Sequence, residues 1–233
     1  MKNIFISPHF DDAVGSCGGL IQVLRNVTVY TIFTKKPLGQ LSNLALQLHK
    51  DWGLKDAVLD RAKENINACK KLNIEFENFD FLDVVYRESK NKYICSKLDD
   101  LFDLNHELEN DLLNDIYKAI LIKISKDDNL YFPMGFGNHI DHVLVHKIGL
   151  KLLKEGFCVK FYTDFSYKSN SVKNFKVIPF LFKQKILNVK IDACLCYISQ
   201  MKDLFGSVKQ AKEYFKSFKE GEWYNEFYYI KKL

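Results

Sequence analysis

Residues 3–33 carry, in order, a short apolar run, a polar turn, an apolar stripe of helical period and a second run rich in β-branched and aromatic residues. Asn3–Ser7 (NIFIS) predicts a buried strand, Val14–Arg25 a helix and Val27–Phe33 (VTVYTIF) a second strand. About thirty residues is the length of a βαβ crossover, and a crossover of that kind pairs its strands in parallel. The turn it encloses, Ser7–Gly19 (SPHFDDAVGSCGG), therefore lies at the carboxyl end of a strand, where open α/β sheets hold ligands.

That turn is unusually polar for its place. His9 and Asp12 are three residues apart, a spacing at which a tight turn or first helical turn can aim both side chains at one point. An imidazole and a carboxylate supply two of the three protein ligands of a catalytic Zn²⁺, and Asp11 between them is left free to act as a base. Helix capping by Asp is the plainer reading, but it accounts for neither the His nor the second Asp. A matching segment stands downstream at Gly137–His146 (GNHIDHVLVH), after a strand-like run, Asn129–Phe132, that ends in Pro133 and Gly135. His139, His142 and His146 fall at three- and four-residue spacing on one helix face. His142 and His146 have the His-x-x-x-His spacing of zincins, but the Glu such a helix carries beside its first His is Val143 here.

These two segments resemble the PIG-L/LmbE family of zinc-dependent N-deacetylases, marked by a His-x-Asp-Asp and a His-x-Asp-His motif. Here they read His9, Phe10, Asp11, Asp12 and His139, Ile140, Asp141, His142. Weaker likenesses follow in family order at Arg61–Leu72 (RAKENINACKKL), Asp83–Arg87 (DVVYR), Phe161–Tyr167 (FYTDFSY) and Tyr197–Gln200 (YISQ). Phe10 and Ala13 depart from it, where many members have Pro and Glu. The resemblance implies a three-layer Rossmann-like α/β domain with a mostly parallel sheet. It implies Zn²⁺, or another divalent transition metal, on His9, Asp12 and His142, with Asp11 as general base. A protonated His139, oriented by Asp141, would meet the oxyanion and the departing amine. Arg61 is a candidate substrate contact by resemblance, and Asp83, Arg87 and Asp164 by their places after strand-like runs at the same sheet edge. The activity implied is removal of an N-acetyl or other short acyl group from an amino sugar or its conjugate. The alternative is a non-catalytic sugar-binding relative with a structural or absent metal; the intact Asp11 favours the enzyme.

Other classes fit poorly. A dinucleotide site would need phosphate at the helix N-terminus, where Asp11 and Asp12 would repel it, and Ser16 lacks a GxSxG elbow. GSCGG is better read as room for close approach of a helix or substrate. The net charge of +5 comes from 34 basic and 29 acidic residues without a long basic block, so no nucleic-acid partner is expected. Six cysteines form no CxxC pair, no run approaches the ~20 apolar residues of a membrane helix, and MKNIFISPHF is too short before its motif for a signal peptide. The expectation is a single domain over residues 1–233, cytoplasmic, with reduced thiols and with oligomerisation open. Along the rest of the chain, Lys35–Asp56 reads as a loop with one helical turn at most, Leu59–Leu72 as a helix and Phe76–Leu82 as a strand. Arg87–His106 reads as a polar insertion, Glu107–Ser125 and Asp141–Lys154 as helices, and Cys158–Tyr162 as a strand. Phe180–Leu187 and Met201–Phe218 look helical, Asp192–Tyr197 fits either type, and Glu226–Ile230 reads as a last strand.

Overall fold

A computed structural model describes residues 1–104, 110–168 and 172–232. Its strands are β1 (Asn3–Ser7), β2 (Val27–Thr31), β3 (Glu75–Asn78), β4 (Glu88–Ser89), β5 (Lys92–Tyr93), β6 (Asn129–Pro133), β7 (Cys158–Tyr162), β8 (Phe175–Phe182), β9 (Lys219–Glu220) and β10 (Trp223–Lys231). The helices are α1 (Asp12–Val23), α2 (Asn43–Trp52), α3 (Ala57–Leu72), α4 (Asn110–Leu121), α5 (Ile140–Lys154), α6 (Gln184–Cys194), α7 (Ile198–Phe205) and α8 (Val208–Ser217). The main sheet runs β3-β2-β1-β6-β7-β10-β8, with β9 beside β10. The first five of these strands pair in parallel, and β10 and β8 add an antiparallel edge. The expected α/β fold with a mostly parallel sheet is observed.

Both faces of the sheet are covered, because successive strand residues are buried on opposite sides. Phe5, Val29, Tyr131 and Tyr162 pack with α1, α3 and α6. Their neighbours Ile4, Ile6, Tyr30, Leu130, Phe132 and Phe161 pack with α4 and α5. The result is three layers. Strand order reverses between β1 and β6: from β1 the chain moves to β2 and β3 on one side, and later to β6 and β7 on the other. Both His motifs leave the sheet at this point, which is where such a fold opens a crevice.

GSCGG serves close packing. A Cβ on Gly18 would lie 2.8 Å from Lys190 Cγ, and one on Gly19 would lie 2.7 Å from Phe182 Cε1, so α1 sits directly against α6 and β8. At Cys17 the helix departs from helical dihedrals, and the Glu226 carboxylate accepts the amides of Gly19 and Leu20 at 2.7 and 2.8 Å. All six cysteines are unpaired.

Several expected elements differ. The loop expected over Lys35–Asp56 contains α2, capped at its start by Ser42, which accepts from Ala45 N, and at its end by Gly53 at φ +68. The strand expected over Phe76–Leu82 stops at Asn78, and the chain then turns toward the crevice. Residues 180–182 are not helical but end β8, because Phe180–Phe182 pair with Tyr224–Glu226 of β10; α6 begins at Gln184. Met201–Phe218 is two helices, divided at Gly206, with Ser207 capping α8. Asp192–Tyr197 is the end of α6 and a turn. Of the helix expected over Glu107–Ser125, residues 107–109 lie outside the described residues, as does His106, and the helix ends at Leu121. The insertion at 87–106 forms the β4–β5 hairpin and a 3-10 turn, Leu98–Phe102. No helix among the described residues is long and apolar enough to cross a membrane.

Candidate active site

His9, Asp11 and Asp12 are carried by the turn from β1 into α1. Asp11 stands at the helix N-cap without capping through its side chain; Ser7 Oγ takes the Ala13 amide instead. Neither aspartate side chain is spent on the helix amides: Asp12 Oδ2 accepts the His9 amide at 2.7 Å, and Asp11 Oδ1 accepts from Arg61 Nη2 at 3.1 Å. The second motif enters α5 through a turn in which Gly137 has φ +83, and a Cβ there would lie 2.1 Å from Tyr167 Cδ1. Only glycine fits both the backbone and the ring.

The two motifs meet. The His9 and His142 ring centres are 5.3 Å apart, and Asp12 Oδ2 lies 3.2 Å from His9 Nδ1 and 3.3 Å from His142 Nε2. Ligand atoms of His9, Asp12 and His142 all lie within 4.8 Å of one another. Each imidazole is held from behind by a carboxylate: His9 Nε2 is 3.1 Å from Asp141 Oδ2, and His142 Nδ1 is 2.7 Å from Asp164 Oδ1. That is the carboxylate–histidine arrangement that orients metal-binding imidazoles, and two nitrogens with one carboxylate oxygen suit a divalent transition metal. His9, His139 and Asp141 are also close enough to hold an ion, but Asp141 already accepts from Arg87 Nη1 at 2.6 Å and Val84 N at 3.0 Å.

The electrostatics follow from this crowding. Burial alone would lower the pKa of both the His9 and His142 imidazoles, but for His9 the nearby Asp83, Asp12 and Asp141 outweigh it and raise the pKa well above the ordinary value. For His142, Asp12 and Asp164 do the same and raise it to about 10. Asp12 is held well below the usual carboxylate range, His142 and His9 overcoming its burial. Asp11 behaves differently: burial and the neighbouring Asp12 raise its pKa against the opposing pull of Arg61, whose Nη2 lies 3.1 Å from Asp11 Oδ1. Arg61 is itself fixed over the Trp52 ring at 5.0 Å.

His139 lies edge-on to the His9 and His142 imidazoles, with ring centres 5.0 and 5.2 Å away. The expectation of a protonated His139 is corrected here, because burial and the positive charge on His9 and His142 push its pKa well below the ordinary value. Its Nδ1 accepts the Asp141 amide at 3.3 Å, which leaves the proton of the neutral ring on Nε2. The carboxylate expected to orient it lies nearby but is engaged elsewhere: the Asp141 amide donates to His139, while the Asp141 side chain joins His9 to Arg87. Of the expected substrate contacts, Arg61 and Asp83 line the site cavity, with Asp83 Oδ2 3.4 Å from His9 Nε2. Asp164 and Arg87 stand behind the ligand set, on His142 and Asp141. His146 donates to the Pro133 carbonyl at 3.0 Å, away from the ligands, and His49 is 2.7 Å from the Tyr86 hydroxyl.

The cavity over these residues has a volume of about 260 Å³. Its outer wall comes from Leu48 and Trp52 on α2, Leu98, Leu101 and Phe102 on the 3-10 turn, and Gln200, Asp203 and Leu204 on α7; of these the sequence singled out only Gln200, in the YISQ likeness. A helical reading of Ser42–Gly53, with its cap residues and Leu44/Leu48 spacing, would have found α2; nothing local marks the 3-10 turn. A larger cavity, about 440 Å³, lies behind Phe165–Tyr167, but none of His9, Asp11, Asp12, His139 or His142 faces it.

Comparison with known proteins finds deacetylases among those similar to this chain. The chain is 28% identical over 241 aligned residues to the 2'-N-acetylparomamine deacetylase of Niallia circulans, covering 90% of this chain and 84% of that protein. A structure of a deacetylase in the biosynthesis pathway of teicoplanin superposes with a TM-score of 0.82 at 26% identity, covering 98% of this chain and 97% of that one. The zinc-inhibited form of teicoplanin deacetylase gives the same TM-score and coverage at 25% identity. The family model described as PIG-L, GlcNAc-PI de-N-acetylase, matches residues 4–153, more than half of the chain, and the chain belongs to that family.

Proposed function

We propose that the protein is a metal-dependent N-deacetylase that removes an acetyl group from an amino sugar within a natural product or glycoconjugate. The observation that carries this reading is the placing of Asp11. It is buried beside the His9, Asp12 and His142 set, outside that set, with one oxygen on Arg61 and the other not engaged by it. A purely structural metal site has no use for such a carboxylate. The similarity to deacetylases of acetylated sugar compounds supports the same reading.

His9, Asp12 and His142 would hold Zn²⁺ or another divalent ion, which when bound supplies Lewis-acid polarisation and acidifies a water. Asp11 accepts the proton of the attacking water on Oδ2 while Arg61 fixes Oδ1. His139 donates its Nε2 hydrogen to the developing oxyanion, a role a neutral imidazole performs. Asp11 then returns the proton to the departing nitrogen as the C–N bond breaks. A C–O bond has formed, the second proton of the water passes from the new carboxyl group to solvent, and acetate and a free amine leave. Asp83 and Arg61, on the cavity wall, are the groups that would take sugar hydroxyls.

The test is acetate release from a panel of N-acetylhexosamine conjugates by protein stripped of metal and then reloaded with Zn²⁺, Co²⁺ or Ni²⁺. Release from at least one conjugate, dependent on reloading, is expected. Stoichiometric sugar binding without turnover by any metal form would favour the sugar-binding alternative.

A further inference from the structure

We propose that the mouth of the site cavity is a subsite for an apolar or aromatic aglycone carried by the amino sugar. The cavity floor is polar, whereas its outer wall is mostly apolar: Leu48, Trp52, Leu98, Leu101, Phe102 and Leu204 line it from three separate elements, beside Gln200 and Asp203. Leu98 is 56% exposed, Phe102 39% and Leu204 41%. Three large apolar side chains left in water around one opening form a patch that a bound group would cover. Trp52 is a fixed platform within it, since its Nε1 donates to Asp203 Oδ2 at 3.1 Å and its face lies under the Arg61 guanidinium.

The occupant follows from the depth of the chemistry. This step rests on the N-deacetylase reading above: an acetyl group is small and its amide carbon must reach the His9, Asp12 and His142 set, so the acyl side ends at the cavity floor. What extends to the mouth is the amine side of the substrate, past the ring that bears the nitrogen. A wholly hydrophilic extension there would leave the exposed leucines and Phe102 in contact with hydroxyls. An apolar aglycone removes both surfaces from water.

Binding of the deacetylated product side tests this independently of turnover. In calorimetric titration of the metal-loaded protein, phenyl and octyl β-glucosaminides are expected to bind about tenfold or more tightly than methyl β-glucosaminide, the effect of removing roughly 50 Å² of apolar surface from water. Phe102→Ser and Leu204→Ser should each reduce that ratio; both side chains are substantially exposed, so folding should survive. Equal affinities in the native protein would overturn the subsite even if every glycoside is deacetylated. Among substrates, kcat/KM should rise from methyl to phenyl glycoside of N-acetylglucosamine and should not rise from N-acetyl to N-hexanoyl glucosamine. A rise along the acyl series instead would assign the mouth to the acyl chain and overturn the proposal. Failure of acetate release from all glycosides, with the binding ratio intact, would sink the deacetylase reading but not the apolar subsite.

Discussion

Asp141 Oδ2 lies 3.1 Å from His9 Nε2 although 132 positions separate the two residues in sequence. The carboxylate of the second motif thus orients the imidazole of the first, and Arg87 holds that carboxylate from the other side. Asp164 does the same for His142. Asp141→Asn and Asp164→Asn should each weaken metal binding about 10- to 100-fold, as loss of an orienting carboxylate does. Titration with a metal-competing indicator reads this directly; unchanged affinity in both variants would show that the carboxylates do not position the ligands.

Asp11→Asn keeps the size of the side chain and removes the proton acceptor. Metal content and unfolding midpoint should stay near those of the native protein while kcat falls by ~10²- to 10⁴-fold. Normal turnover, or loss of metal instead of turnover, would remove Asp11 from the role of base.

Exhaustive chelation should abolish acetate release, and one equivalent of divalent ion per chain should restore it. His142→Ala should bind less than one equivalent. Activity that survives chelation would end the metal mechanism.

Lys190 Nζ is 2.7 Å from Glu226 Oε1, and both side chains are buried. Glu226 also holds the Gly19 and Leu20 amides where α1 loses its helical dihedrals. Lys190→Met strands a buried carboxylate, and the expected loss is ~3–5 kcal/mol. Denaturant unfolding measures it; a loss within 1 kcal/mol, well below that range, would mean that the helix amides alone satisfy Glu226.

His146 is lowered in pKa, burial outweighing its bond to the Pro133 carbonyl. Because the folded value lies below the unfolded one, near 6.5, the folded state binds fewer protons in that window. Its contribution to stability is full above about pH 6.5 and is lost as pH falls toward the folded value. An NMR titration should therefore find His146 below 6.5, and a value at or above 6.5 would contradict the burial argument.

What the sequence determined is local in origin. The short apolar run, the period-3.6 stripe and the β-branched run of Asn3–Phe33 specify a strand, a helix and a parallel strand, and so place His9, Asp11 and Asp12 at a sheet edge. The same logic places His139, Asp141 and His142 at the end of β6. Residue type and spacing singled out the two motifs that the fold brings together, and the family resemblance chose His9, Asp12 and His142 among their residues. Tertiary structure decided what those residues touch. Nothing near Asp141 in the chain says that its carboxylate faces His9 and Arg87, or that Asp164 backs His142, since both choices depend on which charges meet once water is excluded. The downward shift of the His139 pKa was likewise not legible in the sequence: it depends on two imidazoles and a degree of burial that exist only in the folded chain. The apolar mouth was hidden for the same reason. Its wall joins α2, a 3-10 turn and α7, three segments whose leucines and aromatics look like ordinary core residues until the fold leaves them facing water.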